Sequence, residues 1–222
     1  MKIALIGATG FVGSAVLTEL LKRGHATTAL VRQPGRIPPQ PGLTTVVADA
    51  LDSTQVARTI AGHDALISAY NPGWKEPRIH DLYLQGTDAI VAGAKAAGVR
   101  LLIVGGAGSL EVAPGVQLVD TPQFPAEWKQ GALAAREALR RVQRDAELDW
   151  SFVSPPVMLA PGDHEGPYRL GDDAVLMAGE HPAGISVADL AAAIVDEIET
   201  RRHVRRRFTV ARHSPNPTDA LA

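Results

Sequence analysis

Short apolar runs alternate along the chain with longer segments whose apolar residues recur three and four positions apart. The run 2–6 stops at Gly7, and residues 11–23 then follow with helical spacing and stop at Gly24. Such regular alternation is typical of βαβ units, in which a mainly parallel sheet is covered by helices on both faces. The pattern predicts strands at 2–6, 26–31, 44–48, 64–68, 100–104 and 150–153, and helices at 11–23, 53–61, 80–97, 126–147 and 186–199.

The alternation weakens after residue 156. Residues 162–171 predict a loop or a small hairpin, and residues 208–210 predict a strand that returns to the edge of the sheet. The last helix is expected to begin after Ser186, whose side chain suits an N-cap, with Asp189 in its first turn. The sequence therefore predicts an α/β fold with a doubly wound, mainly parallel sheet.

Composition and charge exclude several classes of protein. The chain of 222 residues has no cysteine, which excludes disulfide frameworks, thiolate metal sites and thiol catalysis. A net charge of −2 argues against nucleic-acid and membrane-surface partners, and no apolar run approaches the length of a membrane span. His164 stands between Asp163 and Glu165, but adjacent side chains rarely converge on one ion, so no metal site is predicted. We expect a cytoplasmic protein.

The most informative stretch is a glycine pattern, G-x-x-G-x-x-G, directly after the first strand and at the start of the first helix. Gly7 would permit a tight turn, Gly10 would let the backbone approach a pyrophosphate, and Gly13 would let the helix pack close to the strand. The helix N-terminus adds unpaired N–H groups and a partial positive charge. In this position the pattern predicts a dinucleotide site formed by Gly7, Ala8, Thr9, Gly10, Phe11, Val12 and Gly13.

The residues near the end of the second strand indicate which nicotinamide cofactor is preferred. NAD sites place a carboxylate there, about 20 residues past the glycines. This chain has no acidic residue between Glu19 and Asp49 and offers Arg32 and Arg36 instead. Arginine can pair with a 2′-phosphate, so NADP is favoured over NAD, although a solvated Arg32 would leave the preference open. Asp49, followed by Ala50, would either accept a hydrogen bond from the adenine amino group or cap the turn before the next helix.

Several motifs make the sequence similar to a known superfamily. They include IGATGFVG at 6–13, ALVRQP at 29–34, VVADALD at 46–52, LLIVGGAGSLEVAPG at 101–115 and LDWSFVSPPVMLAPG at 148–162. On these motifs the chain resembles the atypical short-chain dehydrogenase/reductase superfamily and, within it, the NADH-flavin reductase group, which is related to biliverdin/flavin reductase B and to NmrA-like proteins. The resemblance covers nearly the whole chain. It implies a Rossmann-type fold, a nicotinamide cofactor and reduction of a flavin-like or tetrapyrrole-like acceptor.

The Tyr-x-x-x-Lys dyad of the classical members is absent, since none of the tyrosines at 70, 83 and 168 is followed by lysine four positions later. Carbonyl reduction needs a positioned proton donor, whereas hydride transfer to an oxidised flavin needs mainly a planar acceptor stacked on the nicotinamide. We therefore predict an NAD(P)H-dependent reductase of a flavin-like or other conjugated small molecule. Two alternatives stay open. One is a reductase or isomerase of another small molecule, with proton delivery by Ser109, Tyr70 or water, and the other is a non-catalytic NADP-binding redox sensor of the NmrA type.

The remaining candidate residues follow strands, at the sheet edge where ligands bind in such folds. Ser109 is the predicted catalytic residue, because the resemblance implies a substrate-orienting Ser or Thr in the loop after the fifth strand, where a hydroxyl can hydrogen-bond a substrate or the nicotinamide, although serine is also common in glycine-rich turns. The further predicted cofactor contacts are Ser68, Ala69, Tyr70, Gly105, Gly106, Lys129 and Pro155. The predicted acceptor contacts are Trp74, Tyr168 and Arg169. The basic run 201–207 is expected to stabilise a helix end or to stay solvated.

These assignments predict one domain. Residues 1–156 would form its cofactor-binding core, residues 157–212 would cover the substrate side and complete the sheet, and residues 213–222 would form a flexible tail. The expected partner is the small-molecule acceptor, and the protein would act as a monomer or a homodimer.

Overall fold

The computed structural model describes residues 1–33 and 35–213, and in these residues it has an eight-stranded central sheet and five α-helices. The strands are β1 (Lys2–Ile6), β2 (Ala26–Val31), β3 (Leu43–Val47), β4 (Ala65–Ser68), β5 (Arg100–Val104), β6 (Glu111–Ala113), β7 (Val116–Gln117), β8 (Trp150–Ser154), β9 (Met158–Ala160), β10 (Tyr168–Gly171), β11 (Met177–Ala178), β12 (His181–Pro182), β13 (Gly184–Ser186) and β14 (Arg206–Arg212). The helices are α1 (Phe11–Lys22), α2 (Ser53–Ile60), α3 (Ile79–Ala97), α4 (Ala126–Gln143) and α5 (Val187–Thr200).

The central sheet has the strand order β10-β14-β8-β5-β4-β1-β2-β3. All its neighbouring pairs are parallel except β10 and β14, which are antiparallel. The order reverses between β1 and β4, so the loops that follow these two strands diverge and leave a crevice at the carboxyl edge. The predicted α/β fold with a doubly wound, mainly parallel sheet is confirmed.

Alternating side chains of the strands pack against helices on the two faces of the sheet. Ile3 and Leu5 of β1 share a buried cluster with residues of α1 and α5. Ala4 and Ile6 face the other way and share a cluster with residues of α2, α3 and α4. This two-sided burial is the reason that the strands read as nearly continuous apolar runs in the sequence.

Most predicted boundaries lie within one or two residues of the observed ones, with α4 as the main exception. The helix was predicted to reach residue 147 but ends at Gln143. The Asp145 carboxylate accepts hydrogen bonds from the backbone N–H groups of Glu147 and Leu148, at 3.0 and 2.9 Å. A side chain that bonds to nearby backbone in this way favours a turn over further helix.

The C-terminal part differs from the sequence prediction in two respects. Residues 168–171, predicted as loop or small hairpin, form β10 at the edge of the central sheet. The predicted edge strand at 208–210 is the longer strand β14, which lies inside the sheet between β8 and β10. Leu170 pairs with Val210, so the added antiparallel strand covers the edge that β14 would otherwise expose.

The start of α5 follows the prediction. The Ser186 hydroxyl accepts a hydrogen bond from the Asp189 N–H at 3.0 Å and caps the helix. Of the predicted flexible tail, residues 214–222 lie outside the described residues. Among residues 1–33 and 35–213, no helix combines the length and the apolar character that crossing a membrane requires.

Candidate functional site

The glycine pattern forms a tight turn between β1 and α1. Gly7 has a φ of +85°, and a Cβ at this position would lie 2.3 Å from the carbonyl oxygen of Ala69. A Cβ on Gly13 would lie 2.0 Å from the carbonyl oxygen of Gly7, whereas one on Gly10 would meet only that oxygen, at 3.3 Å. Gly7 and Gly13 are therefore required by packing within the turn. Gly10 leaves open space at the carboxyl edge.

The N-terminus of α1 suits a diphosphate group. Gly10 is the N-cap residue, no side chain caps the first amide groups, and the first turn carries no acidic residue. Helix N-termini with uncapped amides bind anions through their N–H groups and the helix dipole. Thr9 and Phe11 flank Gly10 and are exposed, while Ala8 is buried. The residues present fit the pyrophosphate of a dinucleotide.

Three predicted residues come together beside this turn, at the ends of β2, β3 and β4. Arg32 is exposed, and its charge and that of Asp49 both act on the Tyr70 hydroxyl. Burial raises the pKa of Tyr70, with Arg32 opposing and Asp49 reinforcing the shift. The Tyr70 hydroxyl donates to the carbonyl oxygen of Leu82 at 3.1 Å. The Tyr70 ring packs on Gly86, since a Cβ added to Gly86 would lie 2.3 Å from Cε1 of Tyr70.

Asp49 has the turn-forming role that the sequence left open. Its Oδ1 atom accepts a hydrogen bond from the N–H of Leu51 at 3.0 Å, and its own N–H donates to Gln55 at 3.1 Å. The N-cap of α2 is Asp52 instead. The adenine contact of Asp49 stays a prediction, as does the phosphate contact of Arg36, which donates to the Gln33 side chain at 3.4 Å. Ala50 is buried.

The predicted nicotinamide side lies at the carboxyl ends of β4, β5 and β8. Ser68 is buried between Ile6 and Ile103 of the neighbouring strands, and the Ala69 N–H donates to the Ile6 carbonyl at 3.0 Å. A Cβ on Gly105 would lie 2.1 Å from the ring of Phe152. One on Gly106 would lie 3.8 Å from Ala135, an ordinary contact. Pro155, directly after β8, is buried.

Comparison with known proteins identifies the family of the chain and the class of its cofactor. A family model described as NAD(P)H-binding matches residues 7–201, from the glycine turn to the end of α5. The chain belongs to this NAD(P)H-binding family. Its nucleotide site is therefore a site for a nicotinamide cofactor, on an oxidoreductase-like fold.

Three relatives of the NAD(P)H-binding chain are similar over nearly their full length. The uncharacterized protein YwnB of Bacillus subtilis is 37% identical over 214 residues, which cover 95% of this chain and 98% of YwnB. A Bacteroides thetaiotaomicron structure, provisionally named an epimerase, is 41% identical with a TM-score of 0.89 and covers 97% of this chain and 98% of its own. A Streptococcus pneumoniae structure, provisionally named an NADH-flavin reductase, is 32% identical with a TM-score of 0.86 and covers 96% and 100%.

Ser109, the predicted catalytic residue, lies in a short 3-10 helix, Ala107–Ser109, after β5. The residue is 2% exposed. Its Oγ atom and its carbonyl oxygen both accept hydrogen bonds from Nη1 of Arg207, at 3.1 and 2.9 Å. The hydroxyl is thus covered, and its catalytic role stays a prediction.

Trp74 and Lys129 lie at the N-terminal part of α4. The Trp74 side chain is packed on Gly131 of α4, where a Cβ would lie 2.7 Å from Cζ3 of the indole. Trp74 is nevertheless 58% exposed, so a large part of its aromatic surface is open to a ligand. Lys129, two residues before Gly131, is exposed.

The structure does not bring Tyr168 to the face where Trp74 lies. The Tyr168 hydroxyl donates to Asp196 of α5, on the face covered by α1 and α5. Arg169 alternates to the opposite face and pairs with Ala211 in the register of β10 and β14, the face that also carries Arg207. Its guanidinium donates to the carbonyl oxygen of Met177. The geometry therefore favours Arg169 over Tyr168 as a residue of the acceptor side.

Each of the three tyrosine hydroxyls donates a hydrogen bond to an acceptor within the protein. Tyr70 and Tyr168 donate as described, and Tyr83 donates to the carbonyl oxygen of Val104 at 3.5 Å. Burial raises the pKa of all three hydroxyls, and the hydrogen bond to Asp196 adds to the shift of Tyr168. The tyrosines are held as donors to fixed acceptors within the protein.

Sequence reasoning missed Arg207. It belongs to the basic run 201–207, which was expected to stabilise a helix end or stay solvated, but the Arg207 side chain is 6% exposed and bonded to Ser109 and Asp173. Because β14 begins at Arg206, the period of two along a strand turns Arg207 inward beside the buried Thr209 and Ala211. The alternation FTVA after the run was the one available signal, and three consecutive arginines obscured it.

Proposed function

We propose that this protein is an NADPH-preferring reductase that passes hydride to a flavin-like or other conjugated small-molecule acceptor. The observation that carries the proposal is the engagement of every tyrosine hydroxyl within the protein. Chemistry that needs a positioned phenol as proton donor is disfavoured by it, whereas reduction of a conjugated ring system can take its proton from solvent. The provisional name of the Streptococcus pneumoniae relative agrees with this reading.

Cofactor preference is inferred from charge at the end of β2. Arg32 is exposed beside the nucleotide turn and forms no ion pair with the residues that the structure describes. A guanidinium in this place can pair with two oxygens of a 2′-phosphate, which NADPH has and NADH lacks. Arg36, four residues later and also exposed, would add to the positive field.

The residues of this chain would bind, orient and shield rather than react. When bound, the cofactor supplies the hydride. The glycine turn and the N-terminus of α1 would hold the pyrophosphate, and the loop Gly105–Gly106 would let the nicotinamide ring approach the backbone. Trp74 would offer its exposed indole face to a planar acceptor, and Lys129 and Arg169 would add positive charge on the acceptor side.

The proposal is tested by titrating the purified protein with NADPH and with NADH, and by following nicotinamide oxidation with FMN, FAD and riboflavin as acceptors. We expect tight NADPH binding, weaker NADH binding and turnover with at least one flavin. Tight binding of NADPH without turnover on any of these acceptors would contradict the reductase. Failure of both nucleotides to bind would contradict the assignment of the glycine turn.

A second candidate is a non-catalytic NADP-binding redox sensor of the NmrA type. The observation that favours it is the burial of the Ser109 hydroxyl, which leaves no predicted catalytic side chain exposed at the acceptor side. For a sensor we expect NADPH and NADP⁺ to bind with different affinities, no oxidation of NADPH with any flavin, and a nucleotide-dependent change in protease sensitivity of the loops around Trp74.

A further inference from the structure

A buried arginine joins two segments at the acceptor side of the sheet. Nη1 of Arg207 donates to both oxygen atoms of Ser109, at 2.9 and 3.1 Å. Nε of the same guanidinium donates to Oδ1 of Asp173 at 2.7 Å, and Nη2 contacts that oxygen as well. One side chain of β14 therefore holds the 3-10 helix Ala107–Ser109 and the segment that follows β10.

Backbone hydrogen bonds make these two segments one continuous wall. The N–H of Glu111 donates to the carbonyl oxygen of Asp173 at 2.8 Å, and the N–H of Val175 donates to that of Glu111 at 2.9 Å. On its other side the wall touches α4, since a Cβ on Gly108 would lie 2.8 Å from Cβ of Ala132. The wall is fixed to the sheet through Arg207 and to the helix through Gly108.

The same arginine also neighbours β8, whose Phe152 packs against the loop after β5. Arg207 stands opposite Phe152 of β8 in the strand register. The Phe152 ring packs on Gly105, since a Cβ added to Gly105 would lie 2.1 Å from ring atoms of Phe152. Arg207 thus adjoins the loop after β5 through Ser109, and Phe152, its neighbour in the strand register, packs against Gly105 of the same loop.

We propose that Arg207 is a positioning residue for the acceptor, which sets the distance between the loop 105–109 and the segment 172–175. The inference rests on the proposed function. None of the partners of Arg207 belongs to the glycine turn or to the end of β2, which carry the proposed pyrophosphate and 2′-phosphate contacts, so we expect a larger effect on acceptor binding than on NADPH affinity. The planar fork of arginine can bind Ser109 and Asp173 at once, which the single ammonium of lysine cannot do with the same geometry.

The test compares Arg207→Met, Arg207→Lys and Asp173→Asn with the control Arg206→Met, which alters the exposed neighbouring arginine of β14. Each variant is assayed for NADPH dissociation constant and for kcat and KM with the flavin that the wild type reduces best. We expect Arg207→Met to raise the acceptor KM by about tenfold or more, with the NADPH dissociation constant within about twofold of wild type. Arg207→Lys and Asp173→Asn should give smaller increases, and Arg206→Met none.

A double variant separates positioning from general stability. If Arg207 acts through Ser109, the acceptor KM of Arg207→Met combined with Ser109→Ala should equal that of Arg207→Met alone, because the second change removes nothing further. Unchanged KM values in all Arg207 and Asp173 variants would overturn the inference, as would equal losses of NADPH and acceptor binding. Should Arg207→Met fail to fold, Arg207→Lys and Asp173→Asn give the same comparison. A wild type that binds NADPH but reduces no flavin refutes the proposed function itself, which the wild-type assay reveals before any variant is compared.

Discussion

A Cβ added to Gly13 would lie 2.0 Å from the carbonyl oxygen of Gly7, far closer than van der Waals contact allows. Helix α1 can therefore lie this close to β1 only with glycine at position 13. The close packing brings the N-terminus of α1 to the carboxyl edge of the sheet, where the crevice between β1 and β4 opens. Packing at Gly13 and anion binding near Gly10 are distinct requirements, and substitutions can separate them.

Gly13→Ala should destabilise the fold, whereas Gly10→Ala should leave the stability unchanged and weaken nucleotide binding. Overpacking of this kind costs about 1–3 kcal/mol, and it outweighs the helix-propensity gain of alanine. A Cβ on Gly10 meets only the Gly7 oxygen, at 3.3 Å, but would fill the space intended for the pyrophosphate. Urea unfolding and NADPH titration measure the two effects. The interpretation is wrong if Gly13→Ala unfolds at the wild-type urea concentration.

Arg32→Ala should weaken NADPH much more than NADH. A hydrogen bond to a charged group contributes about 1.5–3 kcal/mol, so the NADPH dissociation constant should rise about 10- to 150-fold while that of NADH stays nearly constant. Arg58→Ala, which removes an exposed arginine of α2, is the matched control. Equal weakening of both nucleotides in Arg32→Ala would argue against a phosphate contact.

Trp74→Ala should raise the acceptor KM without changing NADPH affinity. Stacking of aromatic rings contributes about 0.5–1.5 kcal/mol beyond buried area, which corresponds to an increase of about 2- to 10-fold. Trp74→Phe should retain much of the effect, and Trp128→Ala, at an exposed tryptophan of α4, serves as the comparison. If Trp74→Ala left the KM of every flavin unchanged, the indole would be a packing residue alone.

Asp196→Asn should reduce stability near neutral pH more than in acid. Burial raises the pKa of this carboxyl, but hydrogen bonds from Tyr168 and Arg23 outweigh it and bring the pKa below its ordinary value of 3.8. The stabilisation is therefore complete above about pH 4 and is lost as the pH falls through the lower folded-state pKa. Because the carboxylate is half exposed, we expect about 1 kcal/mol or less at neutral pH.

The measurement for Asp196 is the urea midpoint at about pH 7 and about pH 3, for wild type, Asp196→Asn and the control Glu180→Gln. The difference in urea midpoint between wild type and Asp196→Asn should become smaller in acid, and the control should have the wild-type midpoint at both pH values. A difference that becomes larger in acid would contradict a lowered pKa of Asp196 in the folded state.

Much of the site could be predicted because its chemistry is local. Gly7, Gly10 and Gly13 act through the backbone within one turn. The absence of acidic residues at 20–48, on both sides of Arg32, is visible in the sequence itself. Tyr168 could not be placed, because the face of the sheet on which it lies depends on how β10 pairs with β14, some forty residues later in the chain. A shift of one residue in that register would have turned Tyr168 to the face where Arg169 lies.

The alternation of strands and helices, the parallel sheet and the dinucleotide turn could be derived from the chain alone, because periodicity and glycine placement are properties of neighbouring residues. The covering of Ser109 and the burial of Arg207 became visible only in the folded protein. These two residues are 98 positions apart, and their contact depends on the insertion of β14 beside β8. Burial and long-range hydrogen bonding follow from which strands become neighbours, and no local pattern in the chain encodes that choice.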